Sequence, residues 1–564
     1  MFMNLLIKKI MIRYFLFFIM ISAISQLCSA AIMAVQVNSM AQQSDGKIVT
    51  ANSAVISNAN EIIVVRYNID GSFDSSFGIS NNGVVTLAVG ESAAATGIQL
   101  QSTGNIIVGG YTIINGLSYF AIANYNVDGT LNTSFGTNGI ITQLVGDSSA
   151  AYGLRVQSDD KVVLAGIAIV NGVPEFSLFR TTSTGVADTS FGTDGLVTTS
   201  IGQFSAAQSL VIQPDGKIIV AGWTFINDQY SVALARYNSD GTLDTNFGIG
   251  GIVTTTTGSS AHAYSVALDS NGNIVVGGTI DAALAVLRYL PDGTLDTAFS
   301  SNGIFSLPLG TNDRVNTVLV QLDDAVVAIG SNDENMVAIR IEDDGTLDTS
   351  FGQNGIILTM LQDVTQGYAG LIQSDNKILA GGLIGNNALL VRYNTVGAYD
   401  PTWGLQGIVT MPGGTFKNQA VFIYDQKVQG TDGGTFTSGV WQIRDLNTII
   451  GGTANISLIN NQIILQPGGY QIEVISPAYA VGNHRLRLRN VTDGITFAYG
   501  SNATSNATNP TSTNTILETK IFASKPITLE VQHQAQITQA TTGFGLASNF
   551  GPEIYTIVKI IQLS

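Results

Sequence analysis

The chain has 564 residues, 45 % of them hydrophobic and only 11 % charged, with a formal net charge of −16 and a single cysteine. That length leaves room for two or three domains, and the composition is that of buried short strands rather than of disorder or a disulfide-built scaffold. The acid excess argues against nucleic-acid binding, which needs a positive field.

The amino terminus reads as a secretory signal. Lys8, Lys9 and Arg13 precede an apolar run from Tyr14 to Ile24, and Cys28-Ser-Ala30 supplies small residues for cleavage after Ala30. Residues 1–30 are therefore expected to be removed, leaving a secreted or cell-surface chain without cysteine. Acylation at Cys28 is an alternative that Leu27, directly before it, disfavours. An uncleaved anchor is a third, for which the run is short. No later segment is expected to span a membrane.

From Arg66 to Gly407 one unit recurs seven times. Its anchor aromatic falls at Phe77, Phe135, Phe191, Phe247, Phe299, Phe351 and Trp403. Near-equal units of this length mean a ring or a stack. In one unit, Ser209–Gln213, Lys217–Gly222, Val232–Tyr237 and Gly251–Thr255 read as four short strands, with Asp215-Gly216 as a tight turn. Four antiparallel strands without helical period predict a propeller blade. Residues 31–411 are accordingly expected to form a seven-bladed β-propeller. The first unit is read as opening at Met33 with its second strand, and Ile408–Thr410 has no successor in its own unit, which predicts closure by a strand exchanged between the chain ends.

Gln213 to Lys217 and Arg236 to Gly248 resemble the delta-60 repeat family of bacterial β-propeller units. Phe176–Thr181 and Asp323–Ala325 depart locally from that pattern. The resemblance implies the fold and supplies no catalytic motif. It also implies a bacterial source, in which the Asn-x-Ser/Thr sequons at Asn132, Asn455, Asn490, Asn502 and Asn506 would stay bare.

Arg and Asp stand eight apart in six units: Arg66 and Asp74, Arg180 and Asp188, Arg236 and Asp244, Arg288 and Asp296, Arg340 and Asp348, Arg392 and Asp400. In the remaining unit both change together, to Asn124 and Asn132. A joint change is what a contact produces, because replacing one partner strands a charge. The expectation is an ion-pair clamp, giving way to an amide pair in that unit. The competing reading is a ring of calcium sites on the Asp-Gly-x-x-Asp turns. No other cofactor is implied.

One end of the repeated units varies in sequence. It carries Glu91, Asp147, Asp313 and Asp363 in one set of loops, and Glu175, Asp228, Asp281, Asp333 and Glu334 in the other, with Tyr111, Trp223 and Tyr230 nearby. Function concentrates on loops held by a rigid scaffold, so a ligand belongs here. Carboxylates with aromatics can bind or cleave a sugar, or simply form a solvated rim. No acidic pair stands out.

Residues 412–564 form a second domain. After Pro412-Gly-Gly414 the repeats stop, and the balance shifts from 12 basic and 32 acidic residues over 31–411 to 9 and 8 over 412–564. Strands are predicted at Gly439–Ile443, Asn455–Ile459, Gln462–Gln466, Gly469–Val474, Arg485–Arg489, Ile527–Gln532 and Tyr555–Leu563, making a jelly-roll β-sandwich. Arg485, Arg487 and Arg489 share one strand face, either solvated or serving as a basic strip for an acidic glycan or a neighbouring subunit's carboxylate.

Trp441–Asn447, Gln466–Ile472, His484–Asn490, Leu529–His533 and Glu553–Val558 resemble the jelly-roll heads of phage tail fibres, themselves similar to tumour-necrosis-factor and complement-head folds. The resemblance implies a trimeric receptor-binding or adhesion head.

Catalytic residues are scarce. His262, His484 and His533 are far apart in the chain, so no His-rich metal site is expected, and His533 reads as structural. There is no Gly-x-Ser-x-Gly elbow and no phosphate loop. No catalytic, cofactor-binding or metal residues are assigned. The sequence thus predicts a non-enzymatic binding or adhesion protein, a propeller scaffold presenting a homotrimeric head to a cell-surface glycan or protein. The alternative is a secreted propeller enzyme acting on polysaccharide, with the head as targeting module.

Overall fold

Three kinds of turn, spelt by the sequence, shape every repeat. In the unit from Phe204, Asp215 Oδ1 accepts the Lys217 amide at 3.1 Å and Gly216 takes a φ of +83°, which turns Phe204–Ile212 back into Ile218–Ile226. Asn227 and Asp228, both at positive φ, then make the two-residue hairpin into Gln229–Tyr237. A long turn through Phe247 leads to Ile252–Thr255. The four strands pair antiparallel in chain order.

The computed structural model describes residues 35–564, apart from 57–58, 79–81, 362, 412–419, 428–430, 451–455, 506–511, 524, 540–541, 543, 545–552 and 564. The signal reading, Cys28, Pro412–Gly414, the boundary after residue 411 and the sequons at Asn455 and Asn506 lie outside the described residues. Among those residues every regular element is a strand, and no helix is long and apolar enough to cross a membrane.

The repeat region is a succession of four-stranded sheets. In the sheet from Val162 three strands pair, with Ser148–Val156 packed alongside. The first strands of the sheets are Gln36–Gln42, Ser92–Leu100, Ser148–Val156, Phe204–Ile212, Ala261–Leu268, Arg314–Val320 and Thr365–Ile372. Each touches the first strand of the next sheet, and Thr365–Ile372 touches Gln36–Gln42, so these strands form a closed inner ring. Most carry a register shift that leaves one residue unpaired, such as Asn38, Thr96, Tyr264, Asn316 and Tyr368. Such bulges re-aim a side chain.

Close approach to the bulge explains one glycine. A Cβ on Gly222 would stand 2.0 Å from the Ala206 carbonyl oxygen, and only glycine avoids that contact. Between sheets the core is apolar. Val163, Phe176 and Leu178 of one sheet meet Leu210, Ile218 and Val220 of the next, with Phe191 fully buried beside them.

Closure differs from the expectation. Among the described residues no strand is exchanged: Gln36–Gln42 is the first strand of its sheet, and Ile408–Met411 completes the last sheet rather than the first. The ends meet side by side instead. The Val35 amide donates to the Asn386 carbonyl at 3.0 Å, and Met40 and Val37 fill the space over Gly381. Gln36, Asn38 and Gln42 disguise this strand because its polar side chains lie on the inner ring, where an apolar run is not needed.

The described chain falls into two compact units. One holds the residues before Arg66, Val85–Ala398, and Thr410 with Met411; the other holds Arg66–Val84, Tyr399–Val409 and the residues from Ala420 onward. In the second, two sheets face each other. One is ordered Thr448–Ile450, Ala420–Lys427, Glu553–Leu563, Gly468–Tyr479, Ser512–Ala523; the other Ile456–Ile459, Gln462–Leu465, Ile527–Ala535, Gly482–Asn490, Ile495–Ser505. Tyr470, Ile472, Val474, Leu517 and Val558 meet Ile463, Leu486, Leu488, Leu529 and Val531 in a shared core. Of the expected strand at Gly439–Ile443, only Gln442–Ile443 pairs. Ala420–Lys427, Ile495–Ser505 and Ser512–Ala523 are strands that the sequence reading missed.

Candidate functional site

Five of the six expected Arg–Asp pairs form. Arg66 Nε lies 2.7 Å from Asp74 Oδ2, Arg180 2.8 Å from Asp188, Arg236 2.8 Å from Asp244 and Arg288 2.7 Å from Asp296; Arg340 pairs with Asp348. Each of these guanidinium groups also lies over its anchor ring, 4.3–4.6 Å from the centres of Phe77, Phe191, Phe247, Phe299 and Phe351. They reach the next sheet as well: Arg180 Nη1 donates to the Ser239 carbonyl at 2.6 Å, and Arg340 Nη1 to Thr395 at 2.7 Å. Burial pushes the Asp188 carboxyl up, but hydrogen bonds from Ser190 and the Arg180 charge outweigh it and hold it at about 2.

The unit with two asparagines departs from the expected amide pair. Asn124 Nδ2 donates to Gln101 Oε1 at 2.9 Å, while Asn132 Oδ1 accepts Ser134. The turn carboxylates are likewise taken: Asp240 Oδ1 accepts both Thr242 donors, and Asp244 accepts Asn246 and Arg236. No group of three or more metal-ligating side chains occurs among the described residues.

At the variable end the carboxylates mostly staple loops. Asp281 accepts the amides of Ser259 and Ser260, Asp333 accepts Thr311 and Asn312, Asp313 accepts Leu309 and Gly310, and Asp147 accepts Gly172. Asp363 accepts the neighbouring Val364 amide. Burial raises the Glu175 carboxyl.

The aromatic residues form something more specific. Trp223 stands edge-on to Phe204, Tyr230 and His262, with ring centres 6.1, 5.6 and 5.6 Å apart. Phe204 stacks on Phe225 at 4.9 Å, His262 lies 4.8 Å from Tyr230, and His262 is parallel to Tyr264 at 6.3 Å. All six rings are half-buried. Burial holds the His262 imidazole down at about 4, so at neutral pH it is uncharged and can both donate and accept.

This cluster sits where the Phe204–Ile212 and Ala261–Leu268 strands begin, at the variable end of the inner ring. The same level carries Arg314, whose guanidinium lies 5.8 Å from the Tyr368 ring centre, and Gln366, which accepts the Tyr368 hydroxyl. It also carries Tyr111 with Tyr152, 6.4 Å apart. Tyr111, Trp223 and Tyr230 were legible in the sequence. Phe204, His262, Tyr264, Arg314 and Tyr368 were not, although aligning the units on their first strands would have shown them as large or charged residues at matching positions.

The carboxy-terminal unit holds two further groupings. On one sheet face Arg485 lies over Tyr499 at 4.4 Å and Arg487 over Trp441 at 4.3 Å, and Arg487 Nε donates to Gln532 at 2.8 Å. Inside, strand pairing brings His484 Nδ1 to 3.0 Å from His533 Nε2, a proximity hidden by their separation in sequence. Arg444 is fully buried there: Nε donates to Thr556 and Nη2 to the Phe544 and Tyr555 carbonyls, over the Phe544 ring at 4.1 Å. Arg444 Nη1 and His533 Nδ1 are buried without a hydrogen-bond partner. Burial pushes both imidazoles down, His484 to about 4, and the Arg444 charge adds to it.

A family described as a domain of unknown function, DUF5122, β-propeller, matches at residues 43–77, 101–135, 157–191, 213–247, 270–299 and 373–402. No curated protein matches the chain. Among solved structures, Sqt1 from Chaetomium thermophilum is 12 % identical, covering 66 % of this chain and 85 % of its own, with a TM-score of 0.38. A protein from Lactobacillus plantarum is 12 % identical over 65 % of this chain and 94 % of its own, at 0.38. Prolyl oligopeptidase B from Galerina marginata is 12 % identical over 73 % and 60 %, at 0.40. These three likenesses carry no functional argument. The repeated sheets and the DUF5122 matches agree with each other: the repeat region is a β-propeller segment.

Proposed function

We propose that the chain is a secreted or surface-exposed binding protein without catalysis of its own, which uses a seven-bladed propeller to hold a glycan at the variable end of its inner ring. Residues 412–564 act as a jelly-roll head that assembles three copies and adds its own contacts to a cell surface. The observation that carries this reading is the half-buried cluster of Trp223, Tyr230, Phe204 and His262. Such rings accept the apolar face of a sugar, while Gln366 and the neutral His262 can exchange hydrogen bonds with its hydroxyls. The nearby aspartates already hold loops, which leaves the rings as the available contact surface. Trimeric presentation would turn weak single contacts into useful avidity.

The test is calorimetric titration of the full chain with neutral soluble polysaccharides. Trp223→Ala is expected to weaken binding by about tenfold, the worth of one aromatic contact. Equal binding by the variant would remove the rim from consideration. Light scattering on the same sample should give the mass of a trimer, and a monomer would refute the assembly.

A further inference from the structure

The seven inner strands contain no Asp or Glu, although residues 31–411 hold 32 of them. Their only charged residues are Arg155 and Arg314, and His262, held neutral, lies on the strand next to that of Arg314. Every lysine of the same region, Lys47, Lys161, Lys217 and Lys377, is paired with a carboxylate. So are Arg66, Arg180, Arg236, Arg288 and Arg340, and Arg392 stands at the clamp position. Arg155 and Arg314 therefore stand apart in an acid-rich region: among the described residues neither has a carboxylate partner.

Arg314 lies at the rim, on the strand next to His262, with the Tyr368 ring 5.8 Å away, and its charge acts on the Tyr264 phenol. Arg155 lies deeper along its strand, where its guanidinium has one hydrogen bond, from Nη1 to the Leu154 carbonyl at 2.9 Å. Its side chain is half-buried, and burial pushes its pKa down with no countercharge among the described residues to oppose the shift. A withdrawn cation is ordinarily paired, because its desolvation is otherwise uncompensated. On a wall cleared of carboxylates, the missing partner is an anion from outside.

We infer that the inner ring takes an acidic sugar chain of the uronate class, with one carboxylate on Arg314 beside the aromatic cluster and another reaching Arg155. This rests on the glycan reading above and adds the charge of the ligand to it. By repeat alignment the two positions differ in depth by four ladder steps, about 13 Å, and they stand on strands three places apart in the ring, so a single sugar meets only the first. Because the surrounding domain is acidic, the pair acts at contact range rather than by drawing anions from a distance.

The test compares oligogalacturonate with its fully methyl-esterified form, the same backbone without charge, on the full chain. The acid form is expected to bind about tenfold more tightly, the worth of a charge-assisted bond, and Arg314→Gln should abolish that preference while still binding the ester. Arg155→Gln should weaken the acidic oligomer and leave binding of galacturonic acid monomer unchanged. Equal or tighter binding of the ester by the unaltered protein would overturn the acidic ligand and leave the glycan reading standing. Binding of neither form, while neutral polysaccharides still bind, would also overturn it; binding of no sugar at all would sink both readings. A preference that survives in Arg314→Gln would take the residue out of the site. Unchanged clamp-dependent melting of the variants shows that a loss is not one of folding.

Discussion

The repeat region and the carboxy-terminal unit both bury arginine, and they do so in opposite ways. Arg180 has a carboxylate at 2.8 Å, a ring beneath it and a carbonyl of the next sheet at 2.6 Å, and near copies of that arrangement recur. Arg444 occurs once, donates only to a hydroxyl and carbonyls, and keeps Nη1 unpaired. Its charge is balanced at a distance by Asp425, which burial pushes up in turn and whose Oδ1 lies 3.1 Å from Lys427. Repetition distributes the cost of buried charge over many equivalent sites. A single network concentrates it, so one substitution there should act on the whole unit.

The sharpest way to break the contrast is Arg444→Met. It removes the buried hydrogen bonds to Thr556 and to the Phe544 and Tyr555 carbonyls and leaves Asp425 with Lys427 alone among the described cations, and a loss of about 3–5 kcal/mol is expected in the unfolding of the carboxy-terminal unit. Urea melts followed by tyrosine and tryptophan fluorescence would show it; a shift below about 1 kcal/mol would mean that the network is dispensable.

Acid should divide the two regions next. The folded chain holds His484 and His533 below their unfolded pKa of about 6.5, so the unfolded chain takes up protons first. Stability of the carboxy-terminal unit is therefore full above pH 6.5 and declines as pH falls toward 4. The repeat region has one such imidazole among its described residues, His262, against two, and its clamp aspartates are held down, so it loses less over that range and weakens further below about pH 4. Melting curves between pH 7 and 4 with two transitions that separate would bear this out, and a common shift would contradict it.

The smallest effect distinguishes clamps from one another. Asp244 has Lys217 at 3.0 Å as well as Arg236, whereas Asp296 has only Arg288 among the described cations. Arg236→Ala should thus cost about 1–2 kcal/mol and Arg288→Ala about 1 kcal/mol more, because only the latter strands its carboxylate. Equal losses would mean that Lys217 is no substitute.

The clamps were legible because the chain states them repeatedly, and covariation of Asn124 with Asn132 exposed the contact even though the replacement turned out to use Gln101. Strand Gln36–Gln42 was misread because its polar residues look like a loop unless the bulge at Asn38 is known. Ile495–Ser505 and Ser512–Ala523 were lost among Asn, Ser and Thr. In the latter, Leu517 and Ile521 point inward while Ile516, Glu518, Lys520 and Phe522 face out, an alternation that the flanking polar run conceals. The rim was only partly legible, through Tyr111, Trp223 and Tyr230, for a different reason. Its members come from several repeats, and a reading along the chain never sets them side by side.

The closure between Gln36–Gln42 and the last sheet uses the same kind of lateral packing that joins every other neighbouring pair of inner strands. With no interlocking strand among the described residues, nothing there marks one junction as the latch. Duplication or loss of a whole unit would therefore preserve the way neighbours fit, and pulling on the chain ends would meet its first resistance at an ordinary junction rather than at a reinforced one.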